Sequence, residues 1–303
     1  MTTFSDLRSQ ALALGPKRVG LVAADDEVGL QALASASGLT LALPVLIGDE
    51  RWIKSKIAEL HADESFQNAI FMAATDATRA AQIAVRMVRD GAIDILLKGH
   101  LRTDELLRAA LDRECGLRTG RLLSDVLLYE DTLSGSRRLV GITDGGINVA
   151  PNLEQKKEIL HNALAVMHAI GIARPRIAVM SATEAVSESV PSTVDASKLT
   201  ELGTAGEFGD CEVFGPLALD NALLESAALA KGIHSSVAGH ADCMLVPNIE
   251  AGNLLGKAVK YLGGSGCAHV VVGAKAPILI PSRVESVDDK INSLALGVLA
   301  CGV

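Results

Sequence analysis

The chain has 303 residues, of which 49% are hydrophobic but only 3% aromatic, and its formal net charge is −8. This length suits two α/β lobes or one large domain, and so few aromatic side chains require a core packed from Ala, Val, Leu and Ile. The acidic balance argues against a nucleic-acid partner or an anionic membrane surface, because both require an excess of Lys and Arg. An anionic substrate is still allowed, since a few local arginines can dominate the charge of a cleft.

Cysteine usage and the N-terminal segment point to the same compartment. The five cysteines are widely scattered without CxxC or zinc-like spacing, which is typical of reduced thiols in the cytosol; they are Cys115, Cys211, Cys243, Cys267 and Cys301. The N-terminal segment MTTFSDLRSQALALG lacks the basic start and apolar stretch of a signal peptide, and no run approaches the ~18 apolar residues of a spanning helix. We therefore expect a soluble, cytoplasmic protein.

Short β-branched or apolar runs alternate with longer amphipathic stretches along the chain, as in βαβ units. In chain order, the predicted strands cover residues 18–23, 41–47, 93–98, 125–129, 139–143, 176–180, 211–214, 243–246 and 269–272. The predicted helices cover residues 27–36, 73–89, 104–112, 153–170, 221–231, 252–261 and 287–301. The polar segment 129–138 is predicted to be a hairpin or a loop. The alternation predicts an α/β protein.

Two of the predicted helices begin with a capping-box signal. Asn152 is followed three residues later by Gln155, and Ser286 is followed by Asp289 in place of the usual Glu. In such a box each of the two side chains accepts the backbone N–H of the other residue, which fixes the first helical turn. These signals predict helix starts at residues 153 and 287.

Three segments combine glycine with polar side chains at the predicted ends of strands. They read KGHLRTDELLRAAL, ITDGGINVAPNLEQK and AKAPILIPSRVESVDDKINS. In open α/β sheets, ligands bind at the carboxyl ends of the strands, where such loops converge. The position of these loops in the fold indicates a candidate site without identifying a reaction.

Two polar side chains in these segments have local explanations that involve no ligand. Arg108 lies off the apolar face of its predicted helix, four residues after Asp104 and four before Asp112. A solvated ion pair on the helix surface is enough to account for it. Asp289 is explained in the same way by its capping box.

Turn chemistry can explain the remaining polar residues, although for Asp144 and Asn148 it does so only about as well as catalysis does. Ser282 and Arg283 follow a proline in a turn, and Asp144 and Asn148 flank a pair of glycines. The histidines share no metal-ligand spacing, and there is no HExxH, GxxxxGK[ST] or GxSxG motif and no GxGxxG opening a βα turn. The residues by themselves therefore indicate an α/β protein with enzyme-like loops and leave its reaction open.

Taken together, and in this order and separation, the three segments resemble the phosphate acetyltransferase/phosphate butyryltransferase family. ITDGGINVAPNLEQKKEIL is similar to that family's TD-x-x-x-N-x-x-P block, which opens a helix. Further blocks follow in the family order: PSTVDASKLTELG, GPLALDNAL, SSVAGHADCMLVPNIEAGNLLGKAVKYLGG and PILIPSRVESVDDKINSLALG. The segment KGHLRTDELLRAALDRECGLRTGRLLSDVLLYE is closest to the butyryltransferase branch. The likeness covers roughly residues 88–300 and is densest after residue 142.

The resemblance implies the reaction acyl-CoA + phosphate ⇌ acyl phosphate + CoA, for acetyl, propionyl or butyryl chains. It implies two α/β/α lobes of the isocitrate/isopropylmalate-dehydrogenase type, formed by residues 1–121 plus 272–303 and by residues 122–271. The active site is then expected in the cleft between the lobes, in a homodimer. Coenzyme A is a substrate in this scheme, so we expect no permanently bound cofactor and no metal; the partners are acyl-CoA, phosphate and acyl phosphate.

Candidate site residues follow from the same resemblance. Those it implies to be catalytic are Ser282, Arg283, Asp289 and Arg108. Those it implies to bind substrate are Thr143, Asp144, Asn148 and Asn253. Guanidinium groups bind phosphate in bidentate fashion, and a serine hydroxyl can hydrogen-bond a thiol or an oxyanion. A carboxylate whose pKa is raised by burial can remove the proton of the CoA thiol, the role implied for Asp289.

Four positions depart from the family pattern. Phe214 stands where an acidic residue is usual, Asn248 replaces Asp, His240 replaces Arg or Lys, and Pro281 replaces Thr. These departures keep open a second interpretation, a catalytically silent protein that binds acyl-CoA or phosphate. A third interpretation is an NAD(P)-dependent hydroxy-acid dehydrogenase of the same fold. That enzyme requires a metal-binding carboxylate cluster, and the sequence offers only the adjacent pair at 288–289.

Overall fold

The chain divides into two units. The structure is a computed structural model that describes residues 3–133, 137–282 and 285–303. One unit consists of Ser5–Arg121 with Ala268–Gly302 and is called the first unit; the other consists mainly of Leu122–Cys267 and is called the second unit. The chain therefore leaves the first unit after Arg121 and returns to it at Ala268.

Helices and strands alternate along most of the chain. Up to Arg121 they are α1 (Phe4–Ala13), β1 (Lys17–Val22), α2 (Glu27–Gly38), β2 (Ala42–Gly48), α3 (Glu50–Glu59), α4 (Asp63–Phe66), β3 (Ile70–Ala73), α5 (Ala77–Arg89), β4 (Ile95–Lys98) and α6 (Thr103–Ala110). The second unit contains β5 (Ser124–Asp131), β6 (Arg138–Thr143), α7 (Leu153–Ala169), β7 (Arg176–Met180), α8 (Pro191–Thr204), β8 (Glu212–Leu217), α9 (Leu219–Leu223), α10 (Glu225–Ala230), β9 (Cys243–Leu245) and α11 (Ile249–Tyr261). The return to the first unit adds β10 (Cys267–Val272), β11 (Ile278–Leu279) and α12 (Val287–Leu299). Within the described ranges, no helix has both the length and the apolar character that crossing a membrane requires.

The sheet of the first unit has the strand order β3-β2-β1-β4-β11-β10. β1 pairs in parallel with β2 and with β4, so Leu21 stands opposite Leu46 on one side and Leu97 on the other. β11 also runs parallel to β4, while it pairs antiparallel with β10. The carboxyl ends of β1, β4 and β11 therefore lie at the same edge of this sheet.

Helix α12 packs on this sheet and on α2. Its residues from Asp289 to Leu299 are buried, and Gly297 allows a close approach, because a Cβ there would lie 3.2 Å from Leu279 and 3.4 Å from Ile95. Since α12 follows β11 after a short connection, its first turn stands near the carboxyl edge of the sheet.

The strands of the second unit follow the order β5-β6-β9-β7-β8. β5 and β6 form an antiparallel pair, which confirms the hairpin predicted around residues 129–138. The remaining pairs are parallel, so the ends of β6 and β9 lie side by side with Thr143 opposite Leu245. Aliphatic side chains such as Ile142 and Met244 form the core of this unit, as the low aromatic content predicts.

The α/β prediction is confirmed, but one predicted helix is wrong. Residues 221–231 form two short helices, α9 and α10, because Leu224 between them is extended (φ −120°, ψ 114°). The break lets Leu223 of one helix and Ala228 of the other both enter the core of the second unit. No Gly or Pro marks this break, so the sequence carries no local signal for it.

The helix predicted from residue 73 begins later. Ile70–Ala73 is strand β3, and α5 starts at Ala77 behind Asp76, whose carboxylate accepts the backbone N–H of Arg79 at 2.8 Å. Two of the missed helices carry recognisable start signals: Asp49 caps α3, and Pro191 is the first residue of α8. The elements that the sequence analysis did not predict are α1, α3, α4, α8, β3 and β11.

Candidate active site

The predicted substrate-binding residues of the second unit gather where β6 ends. Thr143 is the last residue of β6, and its buried hydroxyl donates a hydrogen bond to the carbonyl oxygen of Asp125 at 2.7 Å. Asp144 follows directly and is only 2% exposed. Because Asp125 belongs to β5, the bond from Thr143 ties the end of β6 to the start of its antiparallel neighbour.

The carboxylate of Asp144 organises the loop that follows it. Its Oδ1 accepts the backbone N–H groups of Gly146 at 2.8 Å and Ile147 at 2.9 Å. Its Oδ2 accepts the backbone N–H of Asn148 at 3.1 Å and the Nδ2 of the same residue at 2.6 Å. Asn148 also donates from Nδ2 to the carbonyl oxygen of Leu123 at 2.8 Å. Both oxygens of Asp144 are therefore used inside this loop.

Burial makes Asp144 an unusual acid. Desolvation, and then the negative charge of nearby Asp125, raise the pKa of Asp144 to about 6. The hydrogen bonds from Gly146, Asn148 and Ile147 act in the opposite direction, but they do not outweigh the burial. This carboxyl therefore changes its protonation near pH 6, well above the usual range of an aspartate.

Helix α11 brings the fourth predicted residue to the same loop. Asn253 donates from Nδ2 to the carbonyl oxygen of Gly145 at 3.4 Å. The helix and the loop can approach this closely because both have glycine at the contact: a Cβ at Gly252 would lie 2.7 Å from the Cα of Gly145. Asn248 caps α11, with its Oδ1 accepting the N–H of Ala251 at 2.9 Å.

The structure thus brings Thr143, Asp144, Asn148 and Asn253 together. The hydroxyl of Thr143 and the carboxylate of Asp144 are hydrogen-bonded within the protein and hold the loop at 145–148 in place. Both residues therefore shape this region, and Asp144 has no free carboxylate oxygen to offer a ligand. Asn253 is exposed and is the member of the group best placed to meet one. That these residues bind substrate stays a prediction.

In the first unit, Ser282 is hydrogen-bonded to Glu285, which lies two residues before α12. Its backbone N–H donates to Oε1 of Glu285 at 3.0 Å, and the N–H of Glu285 donates back to the carbonyl oxygen of Ser282 at 3.1 Å. Glu285 is buried, and Nε2 of His269 on β10 lies 3.7 Å from the same Oε1. No motif in the sequence marks Glu285 or His269 as a site residue. Arg283, the second residue of the predicted Ser-Arg pair, lies outside the described residues.

The predicted base, Asp289, occupies the third position of α12. Its Oδ2 accepts the Oγ hydroxyl of Ser286 at 2.6 Å and the backbone N–H of Ser286 at 3.2 Å, and its own N–H donates to that hydroxyl. This geometry confirms the capping box at this helix, and the box predicted at Asn152 and Gln155 is confirmed as well. Asp289 is also buried, at 4% exposure, as a carboxyl with a functional role would be.

Among the predicted catalytic residues that the structure describes, Arg108 is the most exposed. Its side chain is 74% exposed and pairs with Asp104 at 3.3 Å, as expected for a surface ion pair on α6. It lines a groove of about 370 Å³ between α5 and α6, together with Arg86 and Arg89. Among the described residues, Arg108 makes no hydrogen bond or ion pair with Ser282 or Asp289.

Three of the departures from the family pattern have local roles. Phe214 packs against the core of the second unit. Asn248 performs the helix capping that an Asp would perform, so this replacement preserves the start of α11. His240 lies 3.7 Å from Glu225, an ion pair when the imidazole is protonated. None of these replacements disturbs the loop that Asp144 organises.

The sequence is similar to known proteins of one family. A sequence model of the family described as phosphate acetyl/butaryl transferase matches residues 67–298. The chain is 38% identical to a phosphate butyryltransferase of Clostridium beijerinckii, over 98% of this chain and 97% of that protein. It is also 38% identical to a phosphate acetyltransferase of Rhizobium meliloti, over 90% of this chain and 85% of that protein.

A solved structure extends the likeness to the fold. The crystal structure of a branched-chain phosphotransacylase from Enterococcus faecalis is similar to this chain with a TM-score of 0.81 at 28% identity, and the match covers 94% of this chain and 99% of that one. The α/β fold inferred from the sequence blocks is thus the fold of a phosphotransacylase. The chain belongs to the phosphate acetyl/butaryl transferase family.

Proposed function

We propose that this protein transfers a short acyl group between coenzyme A and inorganic phosphate, acyl-CoA + phosphate ⇌ acyl phosphate + CoA. The observation that carries the proposal is the 38% identity to a phosphate butyryltransferase over 98% of the chain. Several of the residues that the sequence blocks single out follow the ends of β6 and β11 in the chain, and this agrees with the proposal. CoA acts as a substrate that enters and leaves, in a cytoplasmic homodimer.

The proposed chemistry needs no covalent intermediate with the protein. In the direction of acyl-CoA synthesis, the CoA thiol gives its proton to Asp289, and the thiolate attacks the carbonyl carbon of the acyl phosphate. A C–S bond forms, the C–O bond to the phosphoryl group breaks, and phosphate leaves with the electron pair. In the opposite direction a phosphate oxygen attacks the thioester, and the departing thiolate takes the proton back.

Charge and orientation account for the remaining roles. Arg283 and Arg108 neutralise and orient the anion through their planar guanidinium groups. Ser282 donates from its hydroxyl to the oxyanion that develops on the acyl carbon, and its backbone N–H is held by the carboxylate of Glu285. Holding both substrates in register removes much of the entropic barrier to their reaction.

Replacing Asp289 by asparagine separates its two roles. Asparagine keeps an oxygen for the capping box but cannot act as a base, so we expect kcat to fall by about 10²–10⁴-fold with little change in melting temperature. The measurement is steady-state CoA consumption beside thermal unfolding. The matched control is Asp288→Asn, which removes the same charge from the neighbouring exposed carboxylate. A wild-type kcat in Asp289→Asn would show that this residue only caps α12.

A direct assay tests the function itself. Acetyl-, propionyl- or butyryl-CoA is incubated with the protein and phosphate, and the released CoA thiol is followed; omission of phosphate is the control that detects simple hydrolysis. We expect phosphate-dependent release with at least one acyl chain. A folded protein that releases no CoA with any of the three would instead be the silent binding protein. The dehydrogenase interpretation is not favoured, because the relatives are acyltransferases by name.

A further inference from the structure

A small cavity lies at the carboxyl edge of the first unit's sheet. It has a volume of about 110 Å³ and is lined by Asp26, Lys98, Gly99, His100, Pro281 and Lys290. These residues come from the position before α2, from the end of β4 and the two residues after it, from the segment after β11 and from the first turn of α12. Pro281 is the residue immediately before Ser282, so the lining reaches the sequence neighbour of a predicted catalytic residue.

Two buried lysines dominate the charge of this cavity. Lys98 is 7% exposed and Lys290 is 2% exposed, and the charge of a buried ammonium group acts strongly on its surroundings because little water screens it. The Nζ of Lys98 lies 3.4 Å from the carbonyl oxygens of Gly99 and Leu101. The Nζ of Lys290 lies 3.7 Å from Oδ2 of Asp26. The cavity lining therefore carries two cations and one carboxylate.

The position of Lys290 is unfavourable for the helix that carries it. It is the fourth residue of α12, and the helix dipole disfavours a cation in the first turn. A buried lysine at this position lowers the stability of the helix, because its charge is repelled by the positive end of the dipole. The same dipole favours an anion near the start of the helix. An anionic ligand next to Lys290 would therefore be stabilised by the helix dipole and by the charge of the lysine.

Backbone hydrogen bonds join the segments that follow β1 and β4 beside the cavity. Backbone N–H groups of Gly99 and His100 donate to the carbonyl oxygens of Val22 and Ala23, both at 2.9 Å, which joins the ends of β4 and β1. A Cβ at Gly99 would collide with the same carbonyl oxygens. Asp26, the residue before α2, makes no capping hydrogen bond with its side chain, which leaves the carboxylate directed to Lys290.

We propose that this cavity binds the phosphoryl group of inorganic phosphate or acyl phosphate, with the ammonium groups of Lys98 and Lys290 as its ligands. This inference rests on the proposed function and assigns a place to its anionic substrate. A cavity of roughly 150 Å³ holds benzene, with six heavy atoms, so 110 Å³ suits a phosphate with five. The pyrophosphate of CoA is nearly twice that size. Lysine binds phosphate as a point charge, which suits a site reached by two flexible side chains.

Lys290→Met tests the assignment, because methionine fills the same space without charge. We expect the KM for phosphate to rise by about 10- to 100-fold, while the KM for butyryl-CoA stays within about twofold. Lys54→Met, which removes an exposed lysine of the same unit, is the matched control and should leave both values unchanged. A rise confined to the CoA substrate would assign the cavity to a phosphate of CoA, and unchanged values for both would show that it binds no phosphoryl group; either result overturns the proposal.

Calorimetric titration with inorganic phosphate alone gives a readout that does not depend on catalysis. We expect the wild-type chain to bind phosphate, and Lys290→Met and Lys98→Met each to weaken this binding by about tenfold or more. A protein that shows lysine-dependent phosphate binding but no acyl transfer would refute the proposed function and leave this site standing. If a methionine variant does not fold, Lys290→Gln and Lys98→Gln replace it. Phosphate affinity that is equal in folded variants and wild type contradicts the site.

Discussion

Replacing Arg283 by alanine is expected to lower kcat/KM for acyl transfer by about 10²–10³-fold or more while thermal unfolding stays unchanged. The charge of the phosphoryl group must be neutralised before the acyl carbon can be attacked or released, and a guanidinium group does this with two parallel hydrogen bonds. A methyl group does neither. The assignment of Arg283 rests on the sequence block PSRVESVDDK, and the measurement is the initial rate of CoA release over a range of phosphate concentrations.

The control for this prediction is Arg79→Ala on α5, which removes an exposed arginine from the same unit. Arg283→Lys adds a graded comparison, because lysine retains the charge but loses the bidentate geometry, so its rate should lie between those of wild type and Arg283→Ala. Wild-type rates in a folded Arg283→Ala protein would mean that the family's Ser-Arg pair has been assigned to the wrong residues.

Replacing Asp144 by alanine is expected to give the largest loss of stability at the candidate site, about 2–4 kcal/mol in the free energy of unfolding. Three backbone N–H groups and the side-chain amide of Asn148 lose their acceptor in this variant. The loop at 145–148 would then lose its shape, and acyl transfer should fall with it. Urea unfolding of both proteins measures the difference, and Asp220→Ala, at a half-exposed carboxylate of the same unit, is the control. Equal unfolding midpoints for Asp144→Ala and wild type would contradict the structural role of this carboxylate.

The raised pKa of Asp144 also predicts a pH dependence of stability. The pKa is about 6 in the folded chain, whereas an unfolded aspartate titrates near 3.9. Between pH 4 and pH 6 the Asp144 carboxyl is protonated in the folded chain but ionised in the unfolded chain. Its contribution to the free energy of unfolding is therefore fully present below about pH 4 and is lost as the pH rises through 6. The loss is about 3 kcal/mol. Asp144→Asn lacks this titration, so its stability relative to wild type should improve from pH 4 to pH 7, and parallel stability curves would contradict the assignment.

Local signals along the chain predicted much of the fold. The capping boxes at Asn152 and Ser286 were readable because a cap depends on residues only three positions apart. The apolar strands ending at Lys98 and Thr143 were readable because a buried strand is a short continuous apolar run. The break between α9 and α10 at Leu224 could not be predicted from the sequence, because it depends on how two short helices pack against a core formed by distant strands.

The sequence by itself determined that this is an α/β chain, and its ordered blocks indicated the acyltransferase family and the residue types that act on an anion. Only the tertiary structure decided how these residues are surrounded. It commits both oxygens of Asp144 to a loop, raises the pKa of that residue through burial, and places Lys98 and Lys290 around one cavity. The physical reason is distance along the chain: burial and electrostatic contact arise between residues that the fold brings together, and no local pattern contains them.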